Sequence, residues 1–242
     1  NSIYLKASWE YPFVEEKTNL DIFYDSAERN VEVAQAHFMN GVFDNLAYSH
    51  GALPGYQVVK LPFAQSQMSM ILVLPRGGNV GAVQSTELLP ALDDLSPTRV
   101  ALSMPKFKFE STYDEILKES LIQTGIVAPF SGGSLCGIFE GDDSCGLFID
   151  KIIQKTVIDV HEVGVEAAAV TAIMTSRSAP LDEPLLMMVD HPFQFFIYDE
   201  TENLVLFEGR VGAPEMPGTE PEVPLLDTVH SDSDFWSNNF YV

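Results

Sequence analysis

The sequence predicts an α+β fold, mixed α/β with extensive antiparallel sheet. Three observations carry this. Most apolar residues fall in short runs rich in Val, Ile, Phe, Tyr and Leu, bounded by turn residues, as strands require. Two stretches, 85–95 and 112–124, place apolar residues at helical spacing instead. The runs Met187–Tyr198 and Leu204–Val211 flank the polar turn Asp199-Glu200-Thr201-Glu202-Asn203 as the arms of a closing hairpin.

In chain order, residues 1–13 read as a strand ending near Trp9 and stopped by Pro12. Residues 20–45 are mixed: Val31 and Val33 alternate against charge, and Phe38 and Phe43 are core candidates. Gln57–Phe63 and Met68–Leu74 are neighbouring strands joined by the turn Ala64–Gln67, and the unbroken apolar run Met70–Leu74 implies burial on both faces. Arg76-Gly77-Gly78-Asn79 is a loop without the lysine and spacing of a phosphate cradle. The 85–95 segment carries Leu88, Leu89, Leu92 and Leu95 on a helix that begins at a Ser85/Thr86 cap and ends before Pro97. Arg99–Glu110 is a strand broken by Pro105, which marks an edge, bulge or bend. Thr112–Thr124 is a helix with Ile116, Leu117, Ser120 and Leu121 on one face and Gly125 as its stop. Leu147–Val160 is the longest strand candidate.

A chain of 242 residues with 46% apolar content buries a substantial single core. A net charge of −22 and a pI near 4.3 exclude DNA and RNA as partners, because phosphate contacts need Lys and Arg. No run of about 18 apolar residues exists to span a membrane. The two cysteines, Cys136 and Cys145, lie in one Gly-rich loop; they staple it under oxidising conditions or remain free thiols, and lack the paired spacing of a zinc site.

Enzyme chemistry finds no footing. The closest run to a serine-hydrolase elbow, Gly132-Gly133-Ser134-Leu135-Cys136, lacks the final glycine, and His161-Glu162 lacks the second histidine of a zinc protease. The carboxylate pairs Asp93-Asp94 and Asp142-Asp143 read as solvated loop charge. No cofactor or metal is expected.

The segment Asp159–Pro180, DVHEVGVEAAAVTAIMTSRSAP, stands apart. Its Ala content, with Glu166 near the start and Arg177 near the end, suits a helix and its dipole. Its alternate positions Val165, Ala167, Ala169, Thr171, Ile173 and Thr175 are also all uncharged, so an extended form would offer one face to a core. Loop, helix and buried strand all remain open to it.

The residues Glu162-x-Gly164-x-Glu166-Ala167-Ala168-Ala169-x-Thr171 resemble the reactive-loop hinge of serpins, the large serine-protease inhibitors. Asp190-His191-Pro192-Phe193-x-Phe195-Phe196-Ile197 followed by Leu206-Phe207-x-Gly209-Arg210-Val211 resembles the C-terminal signature of that family. Upstream, Asn1-x-Ile3-Tyr4-Leu5-Lys6-x-x-Trp9-x-x-Pro12-Phe13, Leu61-Pro62-Phe63, Met68-Ser69-Met70 and Met104-Pro105-Lys106-Phe107 continue the likeness in the family's order, over about residues 1–212. The stretch 213–242, rich in Pro and acid, departs from the family and is expected to be a disordered tail.

The resemblance implies a partial serpin fold. Residue 1 would lie near the middle of the family domain, the N-terminal half would be missing, and an extracellular setting is favoured although no signal peptide precedes Asn1. It implies a suicide inhibitor of serine proteases: the enzyme cleaves the loop, and the freed hinge inserts into the main sheet as a new strand, a known case of strand addition. Roughly ten new ladder hydrogen bonds at about 1 kcal/mol each would drive this by on the order of 10 kcal/mol. Val165, Ala167, Ala169 and Thr171 keep the inward face uncharged, with Val165 in place of the usual Thr or Ser. The family's spacing from Gly164 puts the reactive bond at Ser178-Ala179, suited to an elastase-like enzyme. The lone basic residue of the loop favours Arg177-Ser178 and a trypsin-like one. By the same resemblance Trp9 sits where the loop enters, Glu162 and Lys106 form a pair at the hinge base, and Asn1 belongs to a buried network whose usual histidine partner is replaced by Gln154.

Overall fold

The computed structural model describes residues 2–77, 81–113, 115–132, 135–138, 146–165 and 183–214. Among these the chain runs β1 (Ser2–Tyr4), β2 (Ala7–Ser8), β3 (Asn19–Tyr24), β4 (Glu32–Ser49), β5 (Tyr56–Pro62), β6 (Met68–Pro75), α1 (Ser85–Ala91), β7 (Ser96–Pro105) and β8 (Phe107–Tyr113). It continues through α2 (Glu115–Gln123), β9 (Gln154–His161), β10 (Gly164–Val165), β11 (Leu185–Met188), β12 (Phe193–Asp199) and β13 (Leu204–Val211). The architecture is α+β, with large antiparallel-rich sheets and few helices. It divides into two compact units, Asn1–Leu5 with Phe109–Ile158, and Lys6–Lys108 with Asp159–Val242.

The second unit holds an eight-stranded sheet in the order β11-β7-β4-β5-β6-β12-β13, with β3 added on β4. Every neighbouring pair is antiparallel except β11 on β7. β6 is an interior strand, between β5 and β12. Met70, Ile71, Leu72 and Val73 are fully buried, so both faces are covered, as the apolar run predicts. One face packs Ile71, Val73, Val58 and Phe196 against Leu88 and Ala91 of α1. The other strands of this unit are β2, β10 and the end of β9: Gly164 and Val165 pair antiparallel with His161 and Val160 on one side and with Ser8 and Ala7 on the other.

In the first unit, β1 pairs parallel with β9 through Ser2↔Lys155, Ile3↔Thr156 and Tyr4↔Val157. Lys118 of α2 donates to Asp150 O at 2.7 Å and lies over the Phe130 ring. The buried Thr156 Oγ1 has no hydrogen-bond partner among the described residues.

Several expectations need correction. The region 20–45 is two long strands, and Phe43 is half-buried against Phe13 while Phe38 is fully buried. The strand expected over 147–160 begins only at Gln154: Leu147, Phe148 and Ile149 find no ladder, and Phe148 is 51% exposed. The first strand is broken after Tyr4, and Trp9 makes a single bridge to Phe63. Helix α1 is capped from Gln84, whose N–H donates to Glu87 Oε2 at 3.1 Å, one residue before the expected cap. It tightens after Ala91 into a 3-10 turn over Leu92–Asp94. Helix α2 is shorter than expected because β8 runs on to Tyr113, and on its apolar face Ile116 is exposed while Leu117 and Leu121 are half-buried. At Pro105 the strand breaks as predicted, β7 ending and β8 starting two residues on.

Candidate functional site

The residues after β9 are held by a dense set of bonds, all within the second unit. The Trp9 indole Nε1–H donates to His161 O at 2.9 Å, and the Trp9 backbone N–H donates to Val163 O at 2.9 Å. The Trp9 ring stacks on Phe63 at 5.0 Å between centroids, nearly parallel to it, and both rings are buried. The Phe13 N–H donates to Glu162 O at 2.9 Å.

The Glu162 side chain is buried and fully engaged. Its Oε1 accepts from the Thr18 hydroxyl at 2.7 Å, and its Oε2 lies 3.0 Å from Lys106 Nζ. Burial alone would raise this carboxyl. Hydrogen bonds from Thr18, from its own backbone and from Lys106, with the Lys106 charge, outweigh burial and hold it below the usual carboxylate range. One element away, Lys108 pairs with Asp159 at 3.2 Å.

Gly164 follows with φ +155°, and the backbone of β2 presses against it. A Cβ there would stand 2.2 Å from Ala7 O and 2.6 Å from Ser8 Cα, so only glycine permits this approach. Val165 beside it is fully buried. Of the residues singled out in the sequence, Trp9, Lys106, Glu162, Gly164 and Val165 therefore converge, and Gln154 stands half-buried as the first residue of β9. Glu166, Ala167, Ala168, Ala169, Thr171, Arg177, Ser178 and Ala179 lie outside the described residues, as do Asn1, Cys145 and the tail from 215; the Cys136 side chain is likewise outside. Thr18 was missed: it reaches Glu162 across 144 positions, and no local pattern announces such a partner.

The Asp190-His191 dipeptide forms a second buried knot. Asp190 Oδ1 lies 2.9 Å from His191 Nδ1, Asp190 Oδ2 accepts from Arg29 Nε at 2.7 Å, and His191 Nε2 lies 2.7 Å from Pro75 O. Burial pushes Asp190 up, but the His191 and Arg29 hydrogen bonds and charges prevail and hold it low.

The sequence model of the family described as Serpin (serine protease inhibitor) matches residues 1–214. The chain belongs to the serpin family. Intracellular coagulation inhibitor 1 of Tachypleus tridentatus is 33% identical over 218 residues, covering 87% of this chain and 50% of that protein. The crystal structure of Serpin48, described as a highly specific serpin of the insect Tenebrio molitor, is similar at TM-score 0.67 and 31% identity, covering 88% of this chain and 55% of that one. Human thyroxine-binding globulin matches at TM-score 0.72 and 25% identity, covering 86% and 54%. The fold is thus part of a serpin fold, and the chain spans about half the length of the curated relatives it matches. Among the described residues no helix is long and apolar enough to cross a membrane.

Proposed function

We propose that this serpin chain carries the reactive loop and its hinge for a serine-protease inhibitor that works by loop cleavage and strand insertion. Residues 1–212 supply the serpin portion and 213–242 an acidic, Pro-rich extension. The observation that carries the reading is the position of Gly164 and Val165, already paired between β9 and β2 directly before the uncharged alternation Ala167, Ala169, Thr171. For the rest of the hinge to follow Val165 as a strand, the three parallel pairs Ser2–Lys155, Ile3–Thr156 and Tyr4–Val157 must part. The anchor at Glu162 then serves as the fixed end about which the loop swings, since it holds the base to Lys106, between β7 and β8, and to Thr18.

In this mechanism a protease accepts Arg177 in its specificity pocket and attacks the Arg177–Ser178 carbonyl. The acyl-enzyme is carried away from its hydrolytic geometry as the hinge adds to the sheet. Incubation of the full-length protein with trypsin-like and elastase-like proteases, followed by denaturing electrophoresis, tests it. An SDS-stable complex is the expected result; clean turnover of the loop without any complex refutes inhibition.

A further inference from the structure

We propose that the cavity between the β3–β4 turn, the end of β6 and β11 binds an amphipathic organic anion, a carboxylate or phosphate head on a short apolar body. At about 260 Å³ the cavity lies near the lower end of ligand-site sizes and suits a small molecule. It is lined by Ala27 and Arg29 from the turn, Gln57 from β5, Leu74, Pro75 and Arg76 at the end of β6, Leu186 and Met188 from β11, and His191. The chain has only 13 Lys and Arg against 35 Asp and Glu, yet Arg29 and Arg76 both line this space, and among the described residues no Asp or Glu is part of the lining.

Arg29 is presented rather than consumed. Its Nε is taken by Asp190 Oδ2 at 2.7 Å, and among the described residues its Nη2 has the Met188 sulfur, at 3.9 Å, as its partner. Asp190 is itself fixed by His191, whose other ring nitrogen lies on Pro75 O. The guanidinium is therefore oriented from behind while its Nη edge has no oxygen acceptor among the described residues, the arrangement that receives a carboxylate or phosphate as a fork. Arg76 is exposed, with its Nη1 donating to His50 O at 3.2 Å. Glu28 stands at the adjacent rim, 3.7 Å from where a Cβ would sit on Gly77.

Part of the lining is apolar: Leu186 is 61% exposed on β11, Met188 is half-buried beside Arg29, and Leu74 is buried. Gln57 Nε2 approaches Leu186 O at 3.5 Å and so lies across the floor between β5 and β11. A head group on Arg29 and Arg76 would lay its apolar body over Leu186 and Met188 and remove that surface from water.

Isothermal titration of the full chain with sodium decanoate, decyl phosphate, decanol and inorganic phosphate tests the site. The expected result is saturable, one-to-one binding of a decyl anion, with decanol and inorganic phosphate each at least about tenfold weaker. Preference between decanoate and decyl phosphate identifies which head the site takes. Arg76→Gln, an exposed position, should weaken the decyl anion about tenfold and leave decanol unchanged. Leu186→Ala should weaken the decyl anion and leave inorganic phosphate unchanged. Absence of saturation by both decyl anions at millimolar concentration overturns the proposal, as does decanol binding equal to theirs or an Arg76→Gln protein with unchanged affinity.

Discussion

Replacing Gly164 by alanine tests whether the hinge base is as tightly fitted as its geometry requires. The new Cβ would stand 2.2 Å from Ala7 O and 2.6 Å from Ser8 Cα, where ordinary contact begins near 3.4 Å. The β2 backbone would have to retreat by about 1 Å, because neither contact atom belongs to a side chain that could rotate away. Such a shift opens the pairs Gly164↔Ser8 and Val165↔Ala7, at about 1 kcal/mol per lost ladder bond. An alanine at φ +155° adds strain of roughly 1–3 kcal/mol. The sum is roughly 3–5 kcal/mol. Urea unfolding followed by Trp9 emission in a Trp236→Phe background measures it, since Trp9 stacks on Phe63 and bonds His161 at the same place. Gly51→Ala is the control: a Cβ added there meets nothing within 4 Å among the described residues, and the change should be neutral or stabilising by up to about 1 kcal/mol. A Gly164→Ala protein within about 0.5 kcal/mol of the parent would refute the argument, because strain and lost pairing each exceed that amount.

Glu162 has a folded pKa below its ordinary 4.5, so its contribution to stability is full above about pH 4.5 and is lost as the pH falls through the folded value. Glu162→Gln should lower the urea midpoint at pH 7 and flatten the fall below pH 4.5, leaving the part due to Asp190, which is shifted in the same direction; an unchanged acid limb contradicts this. Thr156→Val removes a buried hydroxyl that has no partner among the described residues and should raise stability by about 1 kcal/mol in the same assay; destabilisation would contradict this. Ala167→Arg or Ala169→Arg would bury a lone charge if the hinge inserts, so each should convert the inhibitor to a substrate that is cleaved without a stable complex. A mutant that traps protease at the parent stoichiometry would exclude insertion. The peptide released from a denatured protease complex should begin at Ser178; a peptide beginning at Ala179 would move the bond by one residue and point to an elastase-like enzyme.

The strands with one environment were readable from their residues, and those with several were not. Met70–Leu74 is apolar throughout because β6 is covered on both faces along its length. β4 pairs with β3, β7 and β5 in turn and carries an irregularity between Phe43 and Leu46, so its burial has no single period and the region 20–45 reads as mixed. Leu147-Phe148-Ile149 failed in the opposite sense. The residues favour a strand, but strand formation needs a partner, and none pairs with them among the described residues. At the candidate site, the Gly164 requirement is visible only as a glycine until Ala7 is seen against it. Lys106 and Glu162 were paired through family likeness alone, while Thr18, the third member, carried no signal at all.

The strand order of the large sheet has a consequence for a nicked chain. β4, β5, β6 and β7 lie together in sequence and form the middle of the sheet, while both of its flanks come from residues 185–211: β11 on β7, and β12 with β13 on β6. The C-terminal piece therefore grips the rest of the molecule at two separated edges, one through Leu185↔Val100 to Met188↔Ser103 and the other through Gln194↔Val73 to Asp199↔Met68. A peptide-bond break anywhere between β10 and β11 leaves these ladders whole. The two pieces would elute as one particle on gel filtration under native conditions and come apart only in denaturant, so a broken backbone need not mean a broken molecule.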